Sequence, residues 1–337
     1  MSETKRASGC LFGLAIGDAL AAPTEFLSLE EIVDQFGPFG PAEPSAQVTD
    51  DTQMALAVAE ALLETEKPFA PLTLERSLRE HFIAWSTSPQ NNRAPGAACM
   101  QACDRLADGE DWIDATVLTS KGCGANMRVP PVGLLPRAKH GLTERTRAAI
   151  AQFQAALTHA HPTALAAADL TSATIVDLAS GGDTTELTQR LRDYCDSQRL
   201  VYHADWLGHA WQRPEIHSPE EFIACGWDDC LAMLDRVDIA LAKMPREWDP
   251  CEETGQGWIA EEAFATALLC FLMFADDPVA AIRRAAVTSG DSDSIAALTG
   301  AFCGAHLGLD AWPREWIERI EYRDRLQRIG NAWDDAW

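Results

Sequence analysis

The chain has 337 residues, and its hydrophobic fraction of 47% is typical of a globular protein with a full core. It carries 27 Lys and Arg against 51 Asp and Glu, and the formal net charge of -24 argues against DNA, RNA or an anionic membrane as a partner. The ten cysteines form no Cys-x-x-Cys pair, and no apolar signal or membrane-spanning segment stands out, so we expect a cytoplasmic protein with reduced thiols.

The first predicted helix covers residues 9–22 and follows a short polar tail, 1–8. Small residues recur on it every four positions and leave a groove for close packing of another helix: Gly9, Gly13 and Gly17. Asp18 interrupts this apolar helix, and it needs a partner because a buried bare carboxylate is costly. Pro23 ends the helix, and Glu25 follows on the exit loop.

The second predicted helix, 50–66, opens on an acidic cluster, Thr49-Asp50-Asp51-Thr52. Apolar residues then recur at spacings of three and four, which is typical of a helix with one buried stripe. Asp and Thr often cap helix N-termini, because their oxygens accept hydrogen bonds from the free N–H groups there. A cap uses one carboxylate, however, and here two stand side by side.

The same periodicity predicts further helices over 72–86, 97–107, 163–180, 184–196, 219–225, 228–243, 259–275 and 278–288. Two loops interrupt the pattern: a polar one over 86–96 and a Gly/Pro-rich one over 119–137. His159 lies just before a predicted helix, where a histidine is more often a cap or a solvated side chain than a ligand. No alternating run of β-branched residues occurs, so the sequence predicts an all-α fold.

A second acidic cluster, Gly290-Asp291-Ser292-Asp293-Ser294, opens another apolar helix near the end of the chain. Four aspartates and several hydroxyls on two helix starts make a set of oxygen ligands, which hard cations prefer. Repulsion between converging carboxylates would be severe without a cation. We therefore favour metal binding over paired caps, provided that the two helix starts meet.

The two clusters lie near opposite ends of the chain, so a shared site requires residues 9–310 to form one domain. The remaining segment, 311–337, is rich in Trp and charge, and we expect it to pack on that domain. Whether its tryptophans cover the body or serve an interface stays open at this point: Trp312, Trp316, Trp333 and Trp337.

Taken together, these stretches resemble the ADP-ribosylglycohydrolase family, which includes the dinitrogenase reductase-activating glycohydrolases and the ADP-ribosylarginine hydrolases. The matching pieces occur in the family's order and span nearly the whole chain: Gly17-Asp18-Ala19-Leu20, Glu25-Phe26, Thr49-Asp50-Asp51-Thr52, Gly122-Cys123-Gly124-Ala125-Asn126-Met127-Arg128, Thr158-His159 and Gly290-Asp291-Ser292-Asp293-Ser294. The ordered set is specific, although no single piece is.

The resemblance implies a single-domain orthogonal helical bundle with two Mg²⁺ ions, or Mn²⁺ in their place. The metal ligands implied by position are Thr49, Asp50, Asp51, Asp291, Asp293 and Ser294. The expected substrate-binding residues are Asn91, Gly96, Gly122, Gly124, Asn126, Met127, Arg128 and His159. The chain departs from the family where Ser replaces the usual Thr at Ser292 and Ser294, which keeps the hydroxyl, and where Ala21 replaces a frequent Gly.

The family also implies the reaction, which is hydrolysis of the N-glycosidic bond between ADP-ribose and an arginine side chain of a protein. Such a bond breaks through an oxocarbenium-like state, so water must be delivered and positive charge stabilised. Asp51 and Asp291 would be metal ligands and proton acceptors. Glu25 would act as a base or a gate, with a structural helix-end acid as the alternative. The backbone of the loop before Arg128 would seat the pyrophosphate, while Arg128 would add charge or pair with a structural acid.

Three other functions stay open. ADP-ribose linked through oxygen, to serine or in a small metabolite, is a second substrate class. Family members include bacterial immunity proteins, so the chain could neutralise a cognate ADP-ribosyltransferase toxin by hydrolysis or by direct binding. An inactive module would bind ADP-ribose, the expected product, without hydrolysis.

Overall fold

The computed structural model describes residues 4–136, 142–243 and 245–335. Within these ranges the chain forms α-helices, short 3-10 turns and two isolated β-bridges but no strand, which confirms the all-α prediction. The helices up to the middle of the chain are α1 (Arg6–Ala21), α2 (Leu29–Phe36), α3 (Asp50–Glu64), α4 (Pro71–Ser86), α5 (Ala97–Ala107), α6 (Trp112–Ala115), α7 (Pro130–Gly133), α8 (Glu144–Ala156) and α9 (Pro162–Ala179). The remaining ones are α10 (Leu187–Gln198), α11 (Ala204–Leu207), α12 (Pro219–Lys243), α13 (Cys251–Thr254), α14 (Ala260–Met273), α15 (Pro278–Ala286), α16 (Ser292–Leu307), α17 (Arg314–Arg319) and α18 (Arg323–Asp334).

The centre of the molecule is the contact between α1 and α16, whose backbones touch through small residues. A Cβ added to Gly13 would lie 2.1 Å from the Gly300 carbonyl oxygen, and one added to Gly300 would lie 2.0 Å from that of Gly13. Gly9 meets Gly304 and Gly17 meets Ala296 in the same way. The close helix packing predicted from the glycine spacing is confirmed.

This pairing is antiparallel, because positions later in α1 meet positions earlier in α16. The end of α1 therefore lies beside the start of α16. The loop that carries Glu25 leaves α1 at this end, next to the second acidic cluster. A packing contact between glycines thus brings residues about 270 positions apart in sequence to one place.

The first helix begins at Arg6, three residues earlier than predicted, because the polar residues before Gly9 have partners inside the protein. Ser8 is fully buried, and its hydroxyl donates to Asp334 Oδ2 at 2.6 Å. Arg6 Nη1 donates to the His306 carbonyl at the end of α16. A polar composition predicted a tail here, but the far end of the chain supplies the missing acceptors.

Other predicted boundaries differ for local reasons. The predicted helices 219–225 and 228–243 are one helix, α12, since Gly226 does not break it. Gly226 instead lets α12 approach the start of α9, where an added Cβ would come within 2.2 Å of the Pro162 carbonyl oxygen. The pattern also missed α2 and α8. The first of these starts on a capping box between Ser28 and Glu31.

The C-terminal segment packs against the rest of the protein through its tryptophans. Trp312, Trp316 and Trp333 are buried in the main hydrophobic core, and Trp312 Nε1 donates to the Gly9 carbonyl at 3.1 Å. Trp337 lies outside the described residues. The predicted boundaries of the domain, 9–310, stay a prediction. Of the helices described, none has the length and hydrophobicity to cross a bilayer.

Candidate metal centre and substrate cleft

The carboxylate of Asp18 anchors the start of α3. Although Asp18 is fully buried on α1, it accepts hydrogen bonds from Thr49 N (2.9 Å), from Thr52 N (3.1 Å) and from the Thr52 hydroxyl. These bonds satisfy N–H groups that the first turn of a helix leaves free, and they supply the partner that the sequence required. Burial, followed by repulsion from Asp293, raises the pKa of Asp18 to about 7, although its hydrogen bonds from Thr52 and Thr49 lower the pKa.

Asp50 and Asp51 are therefore not needed as caps of α3. Thr49 is the N-cap residue, and its Oγ1 accepts a hydrogen bond from Asp51 N at 3.3 Å. Asp51 Oδ2 accepts from Thr49 Oγ1 at 3.4 Å, whereas Asp51 Oδ1 is buried and has no hydrogen-bond partner in the described part of the chain. Because both aspartates are buried without serving the helix, their carboxylates are available to a ligand.

The second acidic cluster is held in place by the loop before α14. Asp291 N donates to the Gln256 carbonyl at 2.8 Å, and a Cβ added to Gly290 would come within 1.9 Å of the same oxygen. Any side chain at this position would push the loop away from the start of α16. Asp293 Oδ1 accepts from Ser294 N at 3.0 Å.

Ser292 faces away from the acidic residues on either side of it. Its hydroxyl is fully buried and lies 3.0 Å from Thr24 Oγ1, which in turn donates to the Ala21 carbonyl at 2.8 Å. The contact ties the start of α16 to the loop that carries Glu25. The hydroxyl of Ser292 therefore has a positioning role here, and the family's Thr at this place would keep that hydroxyl.

The two helix starts meet and bring five carboxylates to one cleft. Carboxylate oxygens of Glu25, Asp291 and Asp293 lie within 4.8 Å of one another, and Asp50 and Asp51 line the same cleft. Burial is the largest cause that raises the pKa of each of these groups. Repulsion from Asp293 adds to the effect for the other four, and it helps to raise the pKa of Glu25 to about 9.

These residues fit hard divalent cations. The acidic groups and the Ser294 hydroxyl offer oxygen ligands, and the described residues that line the cleft include no Lys or Arg to neutralise them. Asp51 Oδ1 is a buried acceptor without a donor. The Cys123 thiol also lines the cleft, but burial raises its pKa well above the usual range, so it stays neutral. Oxygen ligands of this kind are those that Mg²⁺ and Mn²⁺ prefer.

The cleft has a volume of about 350 Å³ and takes in most of the predicted site residues. Six of the lining residues are the acidic ones and a serine: Glu25, Asp50, Asp51, Asp291, Asp293 and Ser294. The same lining contains five of the residues predicted to bind substrate: Gly96, Gly122, Gly124, Met127 and His159. Predicted metal and substrate residues thus share one cavity.

Four predicted residues lie behind the cleft wall. Thr49 contacts Asp51 from below, and Asn91 Nδ2 donates to the Ser86 carbonyl at 3.1 Å and closes its own loop. Asn126 Nδ2 donates to the Ala260 carbonyl at 3.1 Å. The fourth, Arg128, is described with His159 below. These four residues are absent from the cleft lining, although Asn91 Oδ1 and Asn126 Oδ1 are buried acceptors with no hydrogen-bond partner in the described residues. Their predicted roles in binding stay predictions.

The Gly-rich loop offers fewer backbone donors than its sequence suggested. The N–H of Cys123 donates to the Trp258 carbonyl at 3.0 Å, and those of Asn126 and Met127 both donate to the Cys123 carbonyl. Gly122 N donates to Ser120 Oγ at 3.3 Å. The loop folds into a 3-10 turn that uses some of its own N–H groups, and the expectation that its backbone seats the pyrophosphate stays a prediction.

His159 is neither a cap nor a solvated side chain. It is buried, and its ring lies behind the glycines of the loop: a Cβ added to Gly122 would lie 3.2 Å from His159 Nε2. The cap of α9 is His161, whose Nδ1 accepts from Thr163 N at 3.2 Å. Burial, with a smaller effect of Arg128, lowers the pKa of His159 to about 3, so the ring is neutral at physiological pH.

Arg128 is fully buried beside His159. Its Nε donates to Gln154 Oε1 at 2.8 Å, and its Nη2 donates to the Gln154 carbonyl at 2.6 Å and to Thr158 Oγ1 at 2.8 Å. The guanidinium also stacks over the Phe82 ring at 4.4 Å. These partners are an amide, a hydroxyl and a ring, rather than the structural acid that the sequence left open.

Two aromatic side chains at the cleft mouth were missed as site residues. Phe26 and Trp258 stack with ring centroids 5.6 Å apart and an angle of 17° between the planes, and both line the cleft. Phe26 is 66% exposed, and its φ of 64° lies in the left-handed region. The sequence carried one signal for each residue. Phe26 is a large aromatic residue beside Glu25, and Trp258 is another one between Gly257 and a buried helix.

Comparison with known proteins places this geometry in a family. The family model described as ADP-ribosylglycohydrolase matches residues 1–336. An uncharacterised Archaeoglobus fulgidus protein is 28% identical over 95% of this chain and 93% of its own length. The ADP-ribosylarginine hydrolase Tri1 of Pseudomonas putida is 26% identical over 96% of this chain and 76% of its own length. Human ADP-ribosylhydrolase ARH3 is 26% identical over 94% of this chain and 89% of its own length.

The fold has a counterpart among solved structures. A chain of a structure described as an ADP-ribosylglycohydrolase-related protein complex superposes with a TM-score of 0.68, at 24% identity, over 100% of this chain and 99% of that one. The family model, which spans nearly all of the sequence, agrees with the helical fold and with the acidic cleft between two helix starts. The chain belongs to the ADP-ribosylglycohydrolase family.

Proposed function

We propose that the protein hydrolyses the N-glycosidic bond between ADP-ribose and an arginine side chain of a modified protein, with two Mg²⁺ ions as cofactors and Mn²⁺ as a possible replacement. The observation that carries the proposal is the convergence of Glu25, Asp50, Asp51, Asp291 and Asp293 on one cleft. Five ionised carboxylates in one cleft would repel an anionic substrate unless cations neutralised them, which supports a metal-dependent site.

Asp50, Asp51, Asp291 and Asp293, together with Ser294, would hold the metal. The ions, when bound, would neutralise the carboxylates and polarise a water and the ribose hydroxyls. Asp51 and Asp291 face this space from opposite helix starts and would also accept a proton from water. Glu25, which lies on a loop, would act as a base or close the cleft over the substrate.

The mouth of the cleft favours a substrate in which the leaving group is an arginine side chain. The stacked pair of Phe26 and Trp258 offers aromatic faces beside the carboxylate of Glu25. A guanidinium group binds well to aromatic faces and to carboxylates, whereas the glycosidic oxygen of a serine linkage carries neither a charge nor a hydrogen to offer them. The name of the Pseudomonas putida relative, an ADP-ribosylarginine hydrolase, supports the same linkage, while that of human ARH3 leaves the linkage open.

The direct test is release of free ADP-ribose from arginine-ADP-ribosylated protein. We expect release with Mg²⁺, loss of release with EDTA, and slower or no release from a serine-linked substrate. Asp291→Asn should remove activity, whereas Asp277→Asn, which alters the cap of α15 away from the cleft, serves as the control. Release of ADP-ribose from the serine-linked substrate alone would contradict the proposal and indicate an O-linked hydrolase. Binding of ADP-ribose without any hydrolysis would indicate an inactive module.

An immunity function remains a prediction that needs a second protein. If the chain neutralises a cognate toxin by direct contact, Asp291→Asn should still capture that toxin in a pull-down although hydrolysis is lost. The proposed location is the cytoplasm, which the ten free cysteines support. Failure of both the wild type and Asp291→Asn to capture the toxin would limit any protective role to hydrolysis.

A further inference from the structure

A chain of three side chains leads from the protein interior to the cleft wall. Arg128 Nη2 donates to Thr158 Oγ1 at 2.8 Å, and Thr158 Oγ1 lies 2.8 Å from His159 Nδ1. Arg128 and Thr158 are fully buried, and His159 lines the cleft behind Gly122 and Gly124. The positions of the hydrogens follow from counting the donors and acceptors among these three side chains.

Arg128 can only donate, so Thr158 Oγ1 is the acceptor in the first bond. The Thr158 hydroxyl has one hydrogen of its own to place. The neighbouring acceptors are His159 Nδ1 at 2.8 Å, the Ala155 carbonyl at 3.5 Å, which is at the limit of a hydrogen bond, and the Cys99 sulfur, which is a weak acceptor. The imidazole nitrogen lies close to the hydroxyl and is the strongest of these acceptors, so His159 Nδ1 accepts. In a neutral imidazole the single N–H must then be on Nε2.

The opposite tautomer would be worse at both ends. If Nδ1 carried the hydrogen, Thr158 Oγ1 would receive two donors, and its own hydrogen would be left with the long contact to Ala155 or with the weak acceptor Cys99. Nε2 would then present a lone pair to the cleft. A lone pair repels phosphate oxygens, which have no hydrogen to donate, whereas an N–H binds them.

We propose that Arg128 and Thr158 are positioning residues that hold His159 as the Nε2–H tautomer, so that Nε2 donates a hydrogen bond to an oxygen of the ADP-ribose unit. The choice of ligand rests on the proposed function, but the tautomer does not. This donor takes on weight because the protein already uses other N–H groups of the loop: that of Cys123 donates to the Trp258 carbonyl, and those of Asn126 and Met127 donate to the Cys123 carbonyl. It also gives the buried Arg128 a route to the ligand that does not require contact.

The tautomer can be read directly in the full chain labelled with ¹⁵N-histidine. Of the eight histidines, the signals of His159 are those lost in His159→Gln. We expect Nε2 to give the signal of a protonated nitrogen and Nδ1 that of a bare one, both unchanged across neutral pH. In Thr158→Val, the His159 Nδ1 no longer receives a hydrogen bond from the Thr158 hydroxyl. The signals of both ring nitrogens should then move toward those of a mixture of the two tautomers. A proton on Nδ1 in the wild type would overturn the proposal.

The functional consequence is tested by titrating Mg²⁺-loaded protein with ADP-ribose. We expect Thr158→Val to weaken binding by about ten-fold or more, as for loss of an oriented hydrogen bond to a charged group, and Thr158→Ser to restore both the affinity and the wild-type tautomer. Mg²⁺ affinity and helical content should stay unchanged in both variants. Equal ADP-ribose affinity in Thr158→Val would contradict the positioning role.

The two readouts separate the two proposals. Wild-type protein that carries Nε2–H but does not bind ADP-ribose would leave the tautomer in place and remove the proposed function. Protein that hydrolyses the arginine linkage but carries the His159 proton on Nδ1 would support the proposed function and overturn the tautomer. If Thr158→Val does not fold, the wild-type spectrum and the Thr158→Ser variant still decide the question.

Discussion

Glu25 differs from the other cleft carboxylates because it lies on a loop rather than at a helix start. It is partly exposed, and its backbone is followed by the left-handed φ of Phe26. Its position depends on the Phe26 stack with Trp258 and on the contact between Thr24 and Ser292. A group held in this way can approach a reacting water without being fixed as a metal ligand.

Glu25→Gln should therefore separate rate from metal binding. Loss of a catalytic base lowers turnover by roughly 10²–10⁴-fold. Mg²⁺ affinity, measured by calorimetry, should change far less than in Asp291→Asn. Turnover at the wild-type level would assign Glu25 to a structural role instead.

Asp169 gives the fold a pH dependence that is independent of the cleft. It is buried, it accepts from Tyr194 Oη at 2.7 Å and from Gln152 Nε2 at 2.9 Å, and burial raises its pKa to about 6. The folded state thus holds a proton on Asp169 more tightly than the unfolded state does. The free energy of unfolding should fall as the pH rises through the window between the two pKa values, about 4 to 6.

Asp169→Asn should remove this part of the pH dependence. The Gln152 amide can turn to accept from the new side chain, because its Oε1 now has no partner in the described residues. Urea unfolding at pH 4.5 and pH 7 should give a smaller difference for the variant than for the wild type, by roughly 1–3 kcal/mol. An identical difference would show that Asp169 does not carry the effect.

At the residue scale, the sequence predicted the acidic side of the cleft better than the other side. Aspartates at a helix start can point only to a narrow region near the helix axis, so their position in the chain nearly determines where they act. Asn91, Asn126 and Arg128 lie in loops or short turns, where the neighbouring residue can face the opposite way. For that reason the motif named residues that line the cavity, such as Met127 and His159, together with others that do not.

At the scale of elements, the contact between α1 and α16 sets the geometry of the cleft. Apolar periodicity located most of the long helices because each buries one face, whereas α1 and α16 are buried on all sides and were located by their runs of small and apolar residues. It missed α2, which buries only Ile32, and it divided α12 at Gly226, since a glycine that permits close packing looks in sequence like one that ends a helix. Only the packing partner distinguishes the two kinds of glycine.

Gly13→Ala tests this contact. The added methyl would overlap the Gly300 carbonyl oxygen, so we expect the free energy of unfolding to drop by roughly 2–4 kcal/mol. Metal affinity should fall as well, because α1 carries Asp18, which holds the start of α3, and α16 carries Asp293. Gly96→Ala is the control for stability, since the nearest atom to its new Cβ is 4.0 Å away. Equal stability of the two variants would contradict the packing argument.

At the scale of the whole molecule, the C-terminal segment reaches the cleft from behind. Glu321 binds Arg93 through two hydrogen bonds of 2.6 and 3.0 Å, and Arg93 donates to the Val48 carbonyl just before Thr49. Glu321 also accepts from Val48 N at 3.2 Å. The sequence could not predict this clamp, because its three parts lie in loops and a turn far apart in the chain and show no periodicity.

Glu321→Gln should loosen the clamp and weaken metal binding several-fold, because the start of α3 loses support; breaking such a partly buried pair costs about 1–3 kcal/mol of stability. The matched control is Glu43→Gln, which breaks an exposed pair with Arg319 in the same segment. Exposed pairs are worth about 0–1 kcal/mol, so this variant should resemble the wild type. Similar losses from both variants would argue against a specific role for the clamp.

Calorimetric titration with Mg²⁺ of the wild type, Asp51→Asn, Asp291→Asn and the double variant tests the central claim most directly, since the claim is that helix starts from opposite ends of the chain hold the metal together. We expect each single variant to lose most of the affinity and the double variant to lose little more, as for ligands of one site. Losses that simply add, or a single variant with wild-type affinity, would contradict the account.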